Sequence, residues 1–468
     1  MMLYHKFRNS SLDTTEVGLI PGPDTSDSVY TPAGGKILAW NGSVHFCLVE
    51  GFDEMVFVVD PSAPPGDCVH PVANNLRDFF GLTIATRSST LISSAYRWSR
   101  AYFAKKAAAI SPTMKMRSVL RALENTYQPT KISDPFGYIE AVQKGFDYSA
   151  LPLHPDYFEW CPIRPGAPKW NVGFGSDFCD YCEPAKAGKE LPLQRKFQWK
   201  EENWQISAVY LCENGIVVDS HLEVSGEEVD RFTDKWNNAP ARLSIEEEMA
   251  RSLEDPLTMW AKGYLTVNGK PAPLRQQFFA RWNPRISNPW QSRRTLEHYG
   301  LNRDNGYLFR RECFLRKGKN PPIRTMELRL EAEPVAEPGQ RFEAPAAGES
   351  MEIRHPGTGK THSLTVIAQA REALDPNFLS NHPCCYTRLT FTLSPNIDKE
   401  FFQVVDCDPG DPNPETPEGP TALFMTDRAP AGIHIALSSL RYTPASTITW
   451  RTVFRHKDRA DIVLPLLP

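Results

Sequence analysis

Short apolar runs in the first half of the chain are interrupted by Asn-Gly and then give way to apolar residues at helical intervals, and this pattern occurs twice. The first copy is Lys36-Ile-Leu-Ala-Trp-Asn41-Gly42-Ser-Val-His-Phe-Cys-Leu-Val49, then an apolar run from Met55 to Asp60, then a stretch from Pro71 in which Val72, Leu76, Phe79 and Phe80 recur on one helical face. The second runs from Gln205 to Cys212, through Asn214-Gly215, along Ile216 to Val224, and into a helix that aligns Val229, Phe232 and Trp236. Asn-Gly tolerates the two positive φ values of a type I′ turn, so apolar flanks predict a hairpin at each. Tyr264 to Val267, Asn268-Gly269 and Lys270 predict one more.

Around these motifs the pattern assigns the remaining segments. Residues 1–35, rich in Ser, Thr, Gly, Pro and Asp and without a period, read as a tail or strap. Leu91, Ala95, Trp98 and Tyr102 predict a helix, and Ser111-Pro112 predicts the start of another that carries Met116, Val119, Leu120, Leu123 and Tyr127 and stops at Gln128-Pro129. Ser225 with Glu228 and Ser244 with Glu247 have the spacing of capping boxes. Past residue 324 helical spacing fades, and short apolar runs bounded by Pro, Gly or Asp predict strands. The expected class is therefore α+β: two β-hairpin-plus-helix motifs followed by an antiparallel β-rich sandwich or barrel. The expected divisions are 1–35, a domain at 36–150, a second at 151–330, a Glu/Pro/Ala-rich linker at 331–350, and a β-rich domain at 351–468.

Composition narrows the class. A chain of 468 residues exceeds a single core, and 41 prolines against 28 glycines favour stiff loops over long helices. No apolar run reaches a membrane span, and Lys6 and Arg8 have no apolar stretch behind them, so a soluble protein with no membrane partner and no standard export signal is expected. Ten cysteines, with Cys47 and Cys212 inside apolar runs, suit reduced thiols and a cytoplasmic location. A net charge of −4 opposes attraction of the whole protein to nucleic acid.

Phe57-Val-Val-Asp60 followed by Val69-His-Pro-Val-Ala-Asn-Asn-Leu-Arg-Asp-Phe-Phe80 resembles the later strands and following helix of SMI1/KNR4-like (SUKH) domains, over residues 36–86. The resemblance implies a binding protein, often an immunity or interaction partner, and carries over no particular functional residue.

Candidate chemistry is sparse. Cys179-Asp-Tyr-Cys182 could present two thiolates to zinc, with Cys161, His154 or Cys212 completing the shell, but no second pair at matching spacing is present, and ordinary thiols are the plainer reading. His355-Pro-Gly-Thr-Gly-Lys-Thr361 lacks the first glycine of a phosphate loop, since Arg354 stands there, and its strand-like flanks predict a hairpin turn. Asp406-Cys-Asp408-Pro-Gly-Asp411 lacks the terminal glutamate of a calcium loop and reads as a solvated acidic loop. Residues 273–324 hold twelve Lys/Arg, among them Arg293, Arg294, Arg310, Arg311, Arg316 and Lys317, against three acidic residues, with aromatics interleaved. Such a stretch can bind single-stranded nucleic acid. Residues 325–420, however, hold sixteen acidic against seven basic residues, so docking of the basic stretch on its neighbour is the simpler expectation. The function expected is binding of a protein partner. The alternatives are an enzyme that gathers His154, Cys179, Cys182 and His221, and a single-strand binder acting through 273–324.

Overall fold

The computed structural model describes the chain except residues 1, 64–65, 162, 167–169, 179–181, 183, 238, 240–242, 260, 317–321, 375–381, 409, 412–429 and 468, and except the side chains of 184, 245 and 290. It is α+β, with antiparallel sheets throughout. Residues 1–195, 205–229 and 276–313 form one compact unit, and 196–204, 230–275 and 314–468 form another. Among the described residues no helix is long and apolar enough to cross a membrane.

In the first unit, β1 (Lys36–Asn41), β2 (Val44–Leu48), β3 (Val56–Val59) and β4 (Val69–Ala73) form a sheet in chain order. The β1–β2 turn is Gly42-Ser43, with a left-handed φ of 64° at Gly42. Asn41 remains in the strand, where its amide donates to Ser89 and Thr90. One positive φ at the first loop position is the sign pattern of a type II′ turn, which replaces the predicted type I′. Pro71 does not open a helix. It sits in β4 at the sheet edge, where a missing N–H is tolerated, and the helix α2 (Leu76–Thr86) begins after Asn75, whose side chain accepts from the Asp78 amide.

Residues 2–35 are a packed strap. The helix α1 (Met2–Arg8) buries Tyr4 and Phe7, and Ile20 pairs with Trp40 through N–H···O bonds of 2.8 and 2.9 Å, covering the free edge of β1. The helix expected over 91–102 is broken into α3 (Ser89–Ser94), a 3-10 turn and α4 (Arg100–Ala108), because Ser99 caps a new start. Helix α5 (Met114–Tyr127) takes Thr113 as its cap and ends on Gln128 at φ 45°, ahead of Pro129. Helix α6 (Pro135–Gly145) opens on Asp134 with proline in its first turn. These helices bury one face of the sheet. Phe146, Leu151 and Tyr157, the last on α7 (Tyr157–Trp160), bury the other.

The second sheet has the order β10-β11-β7-β6-β5, from β5 (Lys189–Trp199), β6 (Glu202–Leu211), β7 (Gly215–Val224), β10 (Leu274–Trp282) and β11 (Gly306–Leu315). The β6–β7 loop closes with Cys212 N–H donating to Gly215 O at 3.0 Å. Neither Asn214 nor Gly215 has a positive φ, so the predicted type I′ turn is absent here as well. On one face Ala208, Tyr210, Val217, Tyr307, Phe309 and Cys313 meet α10 (Trp290–His298) and the segment that carries Trp170, Val172, Phe174 and Phe178. Irregular by sequence, that segment is the lid of this sheet's core. Helix α8 (Gly226–Trp236) follows β7 and buries Val229.

In the second unit, α9 (Ile245–Glu254) has the full predicted capping box between Ser244 and Glu247. Strands β8 (Ala261–Val267) and β9 (Lys270–Ala272) enclose Asn268-Gly269, with φ values of 49° and 74°, a true type I′ signature. They join β12 (Met326–Ala332) and β20 (Ile462–Leu467) in the order β20-β12-β8-β9. The predicted linker 331–350 is largely strand: β13 (Val335–Glu343) pairs along β19 (Thr449–His456) and places Phe342 in the core. Its Pro338 is accommodated at a register shift on an edge strand, which is why a linker-like composition can still form a ladder. The sheet β13-β19-β17, with β17 (Phe402–Asp406), faces the sheet β14-β15-β16-β18, from β14 (Ser350–Arg354), β15 (Thr361–Ala373), β16 (Cys385–Ser394) and β18 (Ile433–Leu437). Both contribute to one core around Trp450, Phe391, Phe402 and Phe454, which makes this region a sandwich. His355 to Lys360 form the hairpin turn between β14 and β15.

Candidate functional site

Of the described residues singled out by sequence, Cys182 and Cys212 lie near each other on either side of Val172 and Gly173, and Cys161, His154 and His221 have other surroundings. Cys161 is buried beside Cys68 and Tyr157, with its thiol donating to Ile163 O at 3.2 Å. Cys182 is buried against Gly173, and Cys179 lies outside the described residues. His154 is half-buried and lies 3.8 Å from Asp156. His221 is buried with Nδ1 2.9 Å from Ser207 Oγ and its ring edge-on to Tyr307. Among the described residues no group of three or more His, Cys, Asp or Glu side chains could hold a metal.

Four arginines of the basic stretch lie inside the protein, whereas Arg275, Arg281 and Arg324 are exposed. Arg293, Arg294, Arg310 and Arg311 are at most 6% exposed. Arg293 pairs with Asp67 and lies 3.1 Å from Glu297, and Arg310 pairs with Glu312. Arg311 grips Asp219, on the neighbouring strand, through Nε and Nη2 at 2.8 Å each and donates Nη1 to Asp177 O at 3.0 Å. Burial disfavours charge on Arg311, but Asp219 outweighs it and holds the guanidinium protonated. Arg294 lies over the Trp170 ring at 5.3 Å. Arg316 is half-buried, and Lys317 lies outside the described residues. Asp67, Asp219, Glu297 and Glu312 all precede residue 325, so these four ion pairs do not draw on the acidic block that charge counting had offered.

Asp219 anchors a relay of hydroxyls. Tyr299 donates to Asp219 Oδ2 at 2.7 Å, Tyr210 and Tyr299 share a bond of 2.9 Å, and Trp170 donates to Tyr210 at 2.7 Å. Burial, with Asp219 adding to it, pushes the Tyr299 hydroxyl far up and keeps it a neutral donor. In the acidic stretch Asp406, at the end of β17, is fully buried and accepts from Arg441 at 2.9 Å and from the Ser439 amide at 3.0 Å, whereas Asp408 is exposed as a solvated loop requires.

Among the described residues, one surface feature with the shape of a binding site is a groove of about 360 Å3 in the first unit, lined by Phe52, Met55, Val142 and Phe146, with Ala141 and Ala150 exposed on its wall. Its polar points are Asn74, Tyr138 and Asp147. Tyr138 is fixed by donating to Asp78 at 2.6 Å and accepting from the Asn74 amide at 3.1 Å. Asp147 accepts from the hydroxyl and amide of Ser149, which hold its carboxyl below the usual range and so keep it charged. The sequence reading passed over α6, which forms one wall. Asp134-Pro135, a cap followed by a first-turn proline, was the signal that could have found it.

No known protein family, curated protein or solved structure matches this chain.

Proposed function

We propose that this chain is an interaction protein whose first unit takes an apolar segment of a protein partner in the groove beside α6. The observation that carries this reading is the groove's lining: an apolar floor of Phe52, Met55, Val142 and Phe146, with a fixed hydroxyl and a charged carboxylate to orient what enters. The charged Asp147 favours a segment that sets Lys or Arg next to its bulky apolar residue. Elsewhere in the unit the strongest polar groups, Asp219, Arg311, Asp67 and Arg293, are tied to one another inside the core, which supports binding over catalysis. The same pairing weighs against nucleic acid, since phosphates would have to displace buried carboxylates. An immunity-type partner, as the SMI1/KNR4-like resemblance implies, is one instance of such a protein.

The test is selection of a displayed random-peptide library on the full chain and on Ala141→Arg, which fills the groove from an exposed helical position at little cost to the helix. Enrichment of apolar, basic peptides by the wild type and their loss on the variant is the expected result. No enrichment, or the same peptides on both proteins, would overturn the reading.

A further inference from the structure

The second unit carries two adjacent cysteines, Cys384 and Cys385, at the start of β16, both free and only half-buried. In a regular strand consecutive side chains point to opposite faces, and neighbouring thiols cannot meet. Here the strand is irregular. The amides of Cys384 and Cys385 both donate to Arg441 O, at 3.0 and 2.8 Å, so two residues of one strand oppose a single residue of its partner, as in a β-bulge. The bulge breaks the alternation that would hold the side chains apart, so the two thiols lie near enough to interact, and Cys385 Sγ also reaches Tyr442 O at 3.6 Å. The carbonyl that holds both amides belongs to a fixed residue, since Arg441 donates to Ser439 O at 3.0 Å and to Asp406 at 2.9 Å.

We propose that Cys384 and Cys385 are a vicinal dithiol oxidised reversibly by hydroperoxides to a disulfide within the bulge. One thiolate attacks the peroxide, the O–O bond breaks, and a sulfenic acid forms as water or an alcohol leaves. The second sulfur then attacks the sulfenic sulfur, the S–O bond breaks, and water departs. Two thiols and one peroxide give one disulfide, with two electrons passing from sulfur to oxygen. Adjacent Cα atoms lie about 3.8 Å apart across a trans peptide, below the usual span of about 4.4–6.8 Å for bridged cysteines. The product therefore belongs to the strained class that thiols reduce readily. Burial pushes the thiols of Cys47 and Cys68 up to about 12, and it also raises that of Cys385, with Cys384 adding to the rise, so exposure rather than an acidic thiol sets the pair apart from the interior cysteines.

Cleavage after Arg371 and Arg388 isolates both cysteines in one peptide, residues 372–388, that contains no other. With one equivalent of hydrogen peroxide at neutral pH we expect that peptide to lose about two mass units, to recover them with dithiothreitol, and to be protected by prior reaction with phenylarsine oxide, which bridges two nearby thiols. Cys384→Ser and Cys385→Ser should each abolish the loss while leaving thermal unfolding of the reduced protein close to that of the wild type. Addition of oxygen to one cysteine without loss of hydrogen, a bond from this peptide to another cysteine, or no change while buried cysteines react, would each overturn the proposal.

Discussion

Arg311 and Asp219, 92 residues apart in sequence, meet as a fork on a carboxylate with two bonds of 2.8 Å, and both side chains are 2% exposed. The pair fixes β11 against β7, and through Tyr299 and Tyr210 it reaches the lid residue Trp170. A buried pair of this kind stabilises mainly by comparison with its own broken forms, because one partner left alone in the core is heavily penalised.

Asp219→Leu should therefore destabilise the first unit by about 3–5 kcal/mol, and Arg311→Met by a similar amount. The double variant Asp219→Leu with Arg311→Met should lose much less than the two single losses combined. Denaturant unfolding of all the variants measures this coupling. Additive losses would show that the two side chains act independently despite their geometry.

The two Asn-Gly pairs nearest the centre of the chain should respond differently. Asn268 has a φ of 49°, donates to Pro322 O, and accepts from the amides of Arg324 and Thr325. Asn268→Ala should cost about 1–3 kcal/mol, from left-handed strain and lost hydrogen bonds. Asn214 is exposed and has no positive φ, so Asn214→Ala should stay within about 0.5 kcal/mol of the wild type. Thermal melting of the two variants decides it, and equal shifts would contradict the assigned turns.

Acid should weaken the first unit through two buried histidines. Burial lowers His45 to about 4, and burial, with Arg293 opposing Asp67, lowers His70 to about 4. An unfolded histidine titrates near about 6.5. Between the two values the unfolded chain binds protons that the folded chain refuses, so stability rises with pH across that window and falls as pH drops from about 6.5 towards 4. The combined loss is on the order of a few kcal/mol. Unfolding midpoints at pH 7 and pH 4.5 should differ less in His70→Phe than in the wild type. An equal difference would mean that His70 is already protonated in the folded state.

The features that the sequence determined by itself are those whose physics closes within a few residues. Ser244 and Glu247 cap α9, Asn268-Gly269 turns β8 into β9, Gln128-Pro129 ends α5, and His355 to Lys360 form a hairpin, since each bond or φ requirement joins near neighbours. The strand-rich character of the last third followed from the same kind of short-range punctuation, and with it the α+β class. Tertiary structure decided whatever depended on a distant partner. Asn41 stayed in a strand because Ser89 and Thr90 claim its amide, and Val335 to Glu343 became a strand because β19 offers it a ladder. The arginines of 273–324 could be counted from sequence, but which carboxylates neutralise them was set by strand order, which brings Asp219 to Arg311. The groove at α6 and the approach of Cys384 to Cys385 are likewise products of assembly: one needs the β2–β3 loop with Phe52 and Met55 to meet α6, the other needs a single carbonyl of Arg441 opposite two residues. Local spacing encodes neither, because spacing records intervals along the chain, whereas a site is made of distances across it.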